Sequence, residues 1–222
     1  MQRFTRCIVF RSQIIMKKIL RLLLSSFVLL LAWPFFLYKK YGNTSYKLTD
    51  RTIIICNHYS NLDPFFIYLM YGRKKTIHFA TIAETKKKLW SRVITWLFDC
   101  LYIEDSDNNV PFLRKCIKTL NEDGVICIFP EGFVNQRRYG FLDFKASFVF
   151  LARRTQATIL PLYIYPEISF FKKTYVYIGT PLETKDYSHI PDHEDAAMHI
   201  QSKVMDYAAI IDGVMEEKNS EH

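Results

Sequence analysis

Two short apolar runs that end abruptly in polar turns constrain this chain most. The first, Ile53-Ile54-Ile55-Cys56, runs into Asn57-His58-Tyr59-Ser60-Asn61-Leu62-Asp63-Pro64. A run this short and this rich in isoleucine reads as a buried strand. Ser60, Asn61, Asp63 and Pro64 then read as a helix start, with an acid in the first turn and proline near its first position. The second run, Gly124-Val125-Ile126-Cys127-Ile128-Phe129, closes on Pro130-Glu131-Gly132 and repeats the plan. If both strands are parallel members of one sheet, His58, Asp63 and Glu131 converge on its carboxyl edge. Open α/β sheets bind ligands in the crevice at that edge.

The pattern from residue 50 onward supports such a sheet. Strands are expected over 52–56, 77–82, 100–104, 124–129, 157–164 and 173–179, and helices over 62–71, 84–98, 109–121, 143–154 and 195–215. This alternation predicts an α/β fold, a mostly parallel sheet flanked by helices. The segment 183–194 is a polar linker, and no repeat or low-complexity tract interrupts the body.

The charge divides the chain differently. Residues 1–49 hold nine Lys or Arg and no acid, and the rest balances 21 basic against 22 acidic residues. A basic excess confined to one end argues against a nucleic-acid-binding body and for an arm facing anionic lipid. Residues 22–38 carry no charge and are closed by Lys39-Lys40. That length is just short of the ~20 residues of a usual membrane span, and Pro34 interrupts it. The division expected is a basic, hydrophobic membrane anchor over 1–45 and a second domain over 46–222. The anchor either spans the membrane once or lies in its interface as a kinked helix. A signal peptide is the competing reading, but no small-residue cleavage site follows. Met16-Lys17-Lys18 makes a second credible start besides Met1. Cys7, Cys56, Cys100, Cys116 and Cys127 form no C-x-x-C pair and no zinc spacing, which suits reduced, buried thiols in a cytosolic compartment.

Asn57-His58-x-Ser60-x-x-Asp63 and Phe129-Pro130-Glu131-Gly132 resemble the first and third motifs of the 1-acylglycerol-3-phosphate acyltransferases, within the glycerolipid acyltransferase superfamily. Leu101-Tyr102-Ile103-Glu104 looks like a weakened second motif. Phe144-Lys145 and Leu160-Pro161-Leu162 sit where the family has its Phe-Lys and its proline flanked by aliphatics. The resemblance covers residues 50–182. It implies a membrane-associated enzyme of the cytoplasmic face that moves a fatty acyl group from acyl-CoA or acyl-carrier protein to a lysophospholipid hydroxyl. The first-choice acceptor is 1-acyl-sn-glycerol-3-phosphate, giving phosphatidic acid. No cofactor, metal, nucleic acid or obligate protein partner is implied; membrane lipids and the acyl donor are the partners.

An acyl thioester is already activated, so the enzyme needs a base rather than a nucleophile. Histidine suits this because its unperturbed pKa lies near neutrality. His58 is therefore the candidate catalytic base, and Asp63 its partner, holding the imidazole tautomer and stabilising the imidazolium. Asn57, Ser60, Glu131, Gly132, Arg137, Arg138 and Lys145 are the candidate substrate-binding residues. Each has a bland alternative taken singly: a hydrogen-bonded strand-end histidine, a helix-start aspartate in a capping box, a turn glutamate. Lys86-Lys87-Lys88 and Arg73-Lys74-Lys75 read as solvated or lipid-facing charges. Two departures stand out. Asp105 replaces the arginine that usually ends the second motif, and Phe133-Val134-Asn135 replaces the Thr-Arg or Ser-Arg that follows the third. Arg137, Arg138 and Lys145 are the nearest substitutes for those guanidiniums. The departures leave open another lysophospholipid or a glycolipid as acceptor, or a catalytically weak lipid-binding member of the fold. A hydrolase ranks last, because no Gly-x-Ser-x-Gly elbow occurs.

Overall fold

The computed structural model describes residues 36–72, 75–87, 89–104, 109–137, 140–168 and 171–220, with parts of a helical stretch between residues 16 and 30. The side chains of Lys86, Trp90 and Asn219 lie outside the description. So do Arg138, Asp105, Arg73, Lys74, Lys88, residues 1–15 and 31–35, and therefore much of the expected anchor.

Among the described residues, seven strands form one sheet: β1 (Tyr38–Gly42), β2 (Thr52–Cys56), β3 (Ile77–Ile82), β4 (Leu101–Ile103), β5 (Val125–Ile128), β6 (Thr158–Ile164) and β7 (Thr174–Ile178). Their order across it is β1-β7-β6-β2-β5-β3-β4. β2 pairs in parallel with both β5 and β6, β3 with β5, and β4 with β3. β7 pairs antiparallel with β6 and parallel with β1, so β1 and β7 run opposite to the other five. The sheet is thus mostly parallel, as the alternation predicts.

β2 lies between β5 and β6, and every one of its residues is buried. A strand covered on both faces must be apolar throughout, which is why Ile53, Ile54 and Ile55 follow one another. Each such side chain contributes roughly 1.5–3 kcal/mol over its exposed state. Ile53 and Ile55 face one core with Phe112, Phe148, Ile200 and Val204. Ile54 and Cys56 face the other with Phe66, Ile67 and Phe79. The helices that cover the sheet are α1 (Asp63–Ile67), α2 (Leu89–Leu97), α3 (Val110–Asn121), α4 (Ser147–Thr155) and α5 (His193–Ser220). α1 continues into a π turn over Tyr68–Gly72.

Three sequence expectations are corrected. Tyr38–Gly42 is an edge strand paired with β7, so the sheet begins inside the segment read as anchor, ahead of residue 46. α4 begins at Ser147 rather than residue 143. The backbone N–H groups of Phe144 and Lys145 are held by the Gln201 side chain and the Pro130 carbonyl, which keeps that stretch out of the helix. α5 begins at His193, because the Asp192 carboxylate accepts the N–H of Glu194 and Asp195 at 2.8 and 3.0 Å and caps it.

The described residues between 16 and 30 are helical, and Ile19, Leu20, Leu23, Leu24, Phe27, Val28 and Leu30 among them are exposed. Arg21 joins this stretch to the body, pairing with Asp99 and lying 5.4 Å from the Trp96 ring centroid. Leu89, Val93, Ile94 and Trp96 of α2 are exposed too, beside an open groove of about 850 Å³. Among the described residues, no helix is long and apolar enough to cross a membrane.

Candidate functional site

The parallel pairing of β2 and β5 brings their carboxyl ends together, and the two turns interlock there. His58 Nδ1 lies 2.9 Å from Asp63 Oδ2. The Asp63 side chain is fully buried and that of His58 is 15% exposed. Because an ionised carboxylate only accepts, Nδ1 carries the proton and Nε2 is left with the lone pair. The Phe129 ring, at the end of β5, stacks on the imidazole with centroids 4.1 Å apart and planes 19° from parallel. The ring is thus oriented by one hydrogen bond and one aromatic face.

Asp63 is itself held by its own turn. Its Oδ2 also accepts the Ser60 backbone N–H at 2.9 Å, and Ser60 Oγ accepts the Leu62 N–H at 3.1 Å. Pro64 stands in the first turn of α1, where its missing N–H has no cost. A capping box from Ser60 is the bland alternative for Asp63 taken singly; here the carboxylate does reach back to the Ser60 N–H while also holding His58, and the serine hydroxyl closes the turn.

Glu131 joins the two loops. Its Oε1 accepts the His58 backbone N–H at 2.9 Å, and its Oε2 accepts the Leu142 N–H at 3.1 Å. Glu131 is 3% exposed, and burial pushes its carboxyl above the ordinary value against the pull of those two N–H groups. Asn57 is fully buried and grips Ile164 on both sides: Nδ2 donates to its carbonyl, and Oδ1 accepts its N–H, each at 2.8 Å. Asn57, Ser60 and Glu131 are the residues expected to bind substrate; in the structure each also bonds backbone groups of the site and braces it.

The other expected binding residues lie along the chain that leaves β5. Gly132 has φ +79°, a left-handed conformation that glycine adopts without strain. A Cβ there would come 2.9 Å from Lys145 Nζ, so glycine also makes room for that ammonium group. Lys145 is exposed, with Nζ 5.2 Å from the Phe133 ring centroid. Asn135, which the sequence reading passed over, is buried and knots this loop to the base: its N–H donates to the His58 carbonyl at 2.6 Å. Its Nδ2 donates to the Gly140 carbonyl at 3.3 Å, and its Oδ1 accepts the Arg137 N–H at 3.2 Å. Arg137 is exposed just beyond that knot. Tyr59, also missed, donates its hydroxyl to the Gly140 carbonyl. Neither Asn135 nor Tyr59 stands in a pattern that announces these bonds in the sequence.

Cys56 is the thiol nearest this site in sequence, and burial pushes its pKa well up, reinforced by Asp63 and Glu131. It stays protonated and donates to Asn57 Oδ1 at 3.3 Å, so it offers no nucleophile. Among the described residues, no three His, Cys, Asp or Glu side chains are grouped to hold a metal ion.

Fold and site together define an α/β protein with a carboxylate-oriented histidine at the carboxyl edge of a mostly parallel sheet. An acyltransferase family model matches residues 38–165, more than half of the chain, and the protein belongs to that family. It is 28% identical over 117 residues to a probable 1-acyl-sn-glycerol-3-phosphate acyltransferase of Mycoplasma pneumoniae. That match takes in 50% of this chain and 43% of the relative, so the chain spans less than half the length of the relative. The fold is similar to the crystal structure of the 1-acyl-sn-glycerophosphate (LPA) acyltransferase PlsC from Thermotoga maritima. The TM-score is 0.65 at 19% identity, with 82% of this chain and 74% of that one covered.

Proposed function

We propose that this protein transfers a fatty acyl group from an acyl thioester to the free hydroxyl of a lysophospholipid, with 1-acyl-sn-glycerol-3-phosphate as acceptor and phosphatidic acid as product. His58 Nε2 takes the proton of the acceptor hydroxyl as its oxygen attacks the thioester carbonyl. Asp63 stabilises the imidazolium that forms. The tetrahedral intermediate collapses by expelling the thiolate, which takes the proton back from His58 and leaves as free thiol. No covalent enzyme intermediate is needed, and the donor is acyl-CoA or acyl-carrier protein. The observation that carries this reading is the 2.9 Å contact between His58 Nδ1 and a fully buried carboxylate, because it leaves Nε2 as base.

The cations that replace the expected motif arginines are Arg137, Arg138 and Lys145, and the position of Lys145 against Gly132 supports a phosphate beside the turn. Phe133, Val134 and Asn135 supply no cation, which favours a second acceptor reading: another lysophospholipid or a glycolipid. The protein works at the cytoplasmic face of a membrane. The exposed apolar residues between 16 and 30 and on α2 support a membrane contact, without bearing on which face, since apolar surface of this kind marks a lipid or protein contact.

The test is purified protein in detergent, given mixed lysolipids and a labelled acyl thioester, with products read by mass spectrometry. Label in phosphatidic acid is the expected result. Label only in another lipid transfers the reading to that acceptor, and label only in free fatty acid refutes acyl transfer.

A further inference from the structure

Gln201 lies on α5, beyond the residues that match the family model. That helix turns Ala197, Ile200, Val204, Ala208 and Ile211 into the core. Gln201 falls on the same stripe, four residues after Ala197 and three before Val204, and is itself 8% exposed. A glutamine in such a place is costly unless both ends of its amide are bonded. Both are bonded to one loop. Oε1 accepts the Phe144 N–H at 3.0 Å, and Nε2 donates to the Leu142 carbonyl at 3.1 Å.

That loop leads back to the base in two steps. The Leu142 N–H is held by Glu131 Oε2, and Glu131 Oε1 holds the His58 N–H. The loop ends at Lys145, whose N–H donates to the Pro130 carbonyl at 3.0 Å and whose ammonium lies against Gly132. Its start is fixed separately, by Tyr59 and Asn135 on the Gly140 carbonyl. Its middle rests on Glu131 and Gln201.

From this chain of contacts we infer that Gln201 is a positioning residue for the acceptor site. It fixes residues 142–144 so that Glu131 and Lys145 keep their places around His58. The inference rests on reading this edge as an acyl-acceptor site.

Two variants test it in the full chain. Gln201→Leu keeps an apolar bulk and removes both bonds. Gln201→Glu keeps the acceptor for Phe144; its second oxygen opposes the Leu142 carbonyl when ionised and donates to it when protonated. With lysophosphatidic acid and labelled acyl-CoA, Gln201→Leu should raise the acceptor KM about tenfold, each lost bond being worth roughly two- to tenfold. The donor KM should stay within about twofold, since the perturbed groups lie on the acceptor side. Gln201→Glu should raise the acceptor KM at alkaline pH and recover as the pH falls through its own titration, a reversal that loss of packing would not produce. The second measurement needs no substrate: hydrogen exchange read by mass spectrometry, in which Gln201→Leu should speed exchange over 142–144 and at the His58 amide. If the wild type acylates lysophosphatidic acid, an unchanged acceptor KM in both variants overturns the inference. If it does not, the proposed acceptor is wrong, and exchange alone decides: faster at His58 supports the inference, unchanged overturns it.

Discussion

Asp63→Asn changes almost nothing in shape and removes one charge, so its effect can be worked from the contacts. Oδ2 lies 2.9 Å from both His58 Nδ1 and the Ser60 N–H. With the amide oxygen in that place, both donors keep an acceptor. The imidazolium that forms during transfer then faces a neutral group. A hydrogen bond to a charged partner is worth about 1.5–3 kcal/mol and a neutral one about 0.5–1.5. The difference, about 1–1.5 kcal/mol, is roughly 5- to 13-fold in rate. With the amide nitrogen there instead, the Ser60 N–H would face a donor. His58 would have to accept at Nδ1, and Nε2 would carry the proton. That removes the base and its ~10²–10⁴-fold contribution. The variant should therefore lose at least about fivefold in kcat and at most the whole contribution of the base. Its acceptor KM should be little changed. Its melting temperature should fall while the protein stays folded, because the amide N–H2 takes the place of Asp63 Oδ1, which is buried without a hydrogen-bond partner. The assay is steady-state acylation with the donor saturating, alongside circular dichroism. A folded Asp63→Asn with wild-type kcat would refute the orienting role.

Replacing Arg137 and Arg138 by Ala should raise the acceptor KM about tenfold to over a hundredfold for a phosphomonoester acceptor, the worth of one charge-assisted hydrogen bond, and leave an uncharged monoacylglycerol unaffected; equal effects on both acceptors would remove them from phosphate binding. Glu131→Gln tests the clasp through its pH dependence. Burial holds the Glu131 carboxyl above its ordinary 4.5, so the folded state binds that proton more tightly than the unfolded one. Its stabilising contribution is present in full below 4.5 and is lost as the pH rises through the raised value. The stability of Glu131→Gln relative to wild type should therefore climb across that window and level off above it in denaturation at a series of pH values; a flat difference refutes the shift. A chain beginning at residue 36 keeps β1 and Phe36, which packs on Phe65 and Phe66, but loses six Lys or Arg, each worth about 1 kcal/mol at an anionic surface. It should leave the membrane fraction; firm retention would place the anchor elsewhere.

Much of the frame was legible because it is written in local patterns. β2 and β5 are apolar on both faces, and the turns that end them carry their own polar signals, so the convergence of His58, Asp63 and Glu131 followed from parallel pairing. β1 was not legible, because Tyr38-Lys39-Lys40-Tyr41 has no apolar run: an edge strand needs only one covered face, and its partner β7 lies far along the chain. The division of labour within the motifs was hidden for a related reason. Asn57 and Glu131 sit in turns where a ligand contact and a backbone brace look alike in sequence. The brace shows only in the bonds to Ile164 and Leu142. Asn135 and Gln201 hold the site through contacts that no spacing announces, since the Asn135 N–H reaches the distant His58 carbonyl and the Gln201 amide the distant residues 142 and 144.

His58→Ala against wild type, in the acylation of lysophosphatidic acid by a labelled thioester, tests the central claim most directly. Glu131 and Asn135 hold the backbone of residue 58 and not its side chain, so the variant keeps that frame and loses the imidazole, its bond to Asp63 and its stack on Phe129. The account predicts a folded protein whose kcat is at least about a hundredfold lower, in line with the loss of a general base. A folded variant that keeps most of the wild-type turnover would contradict it.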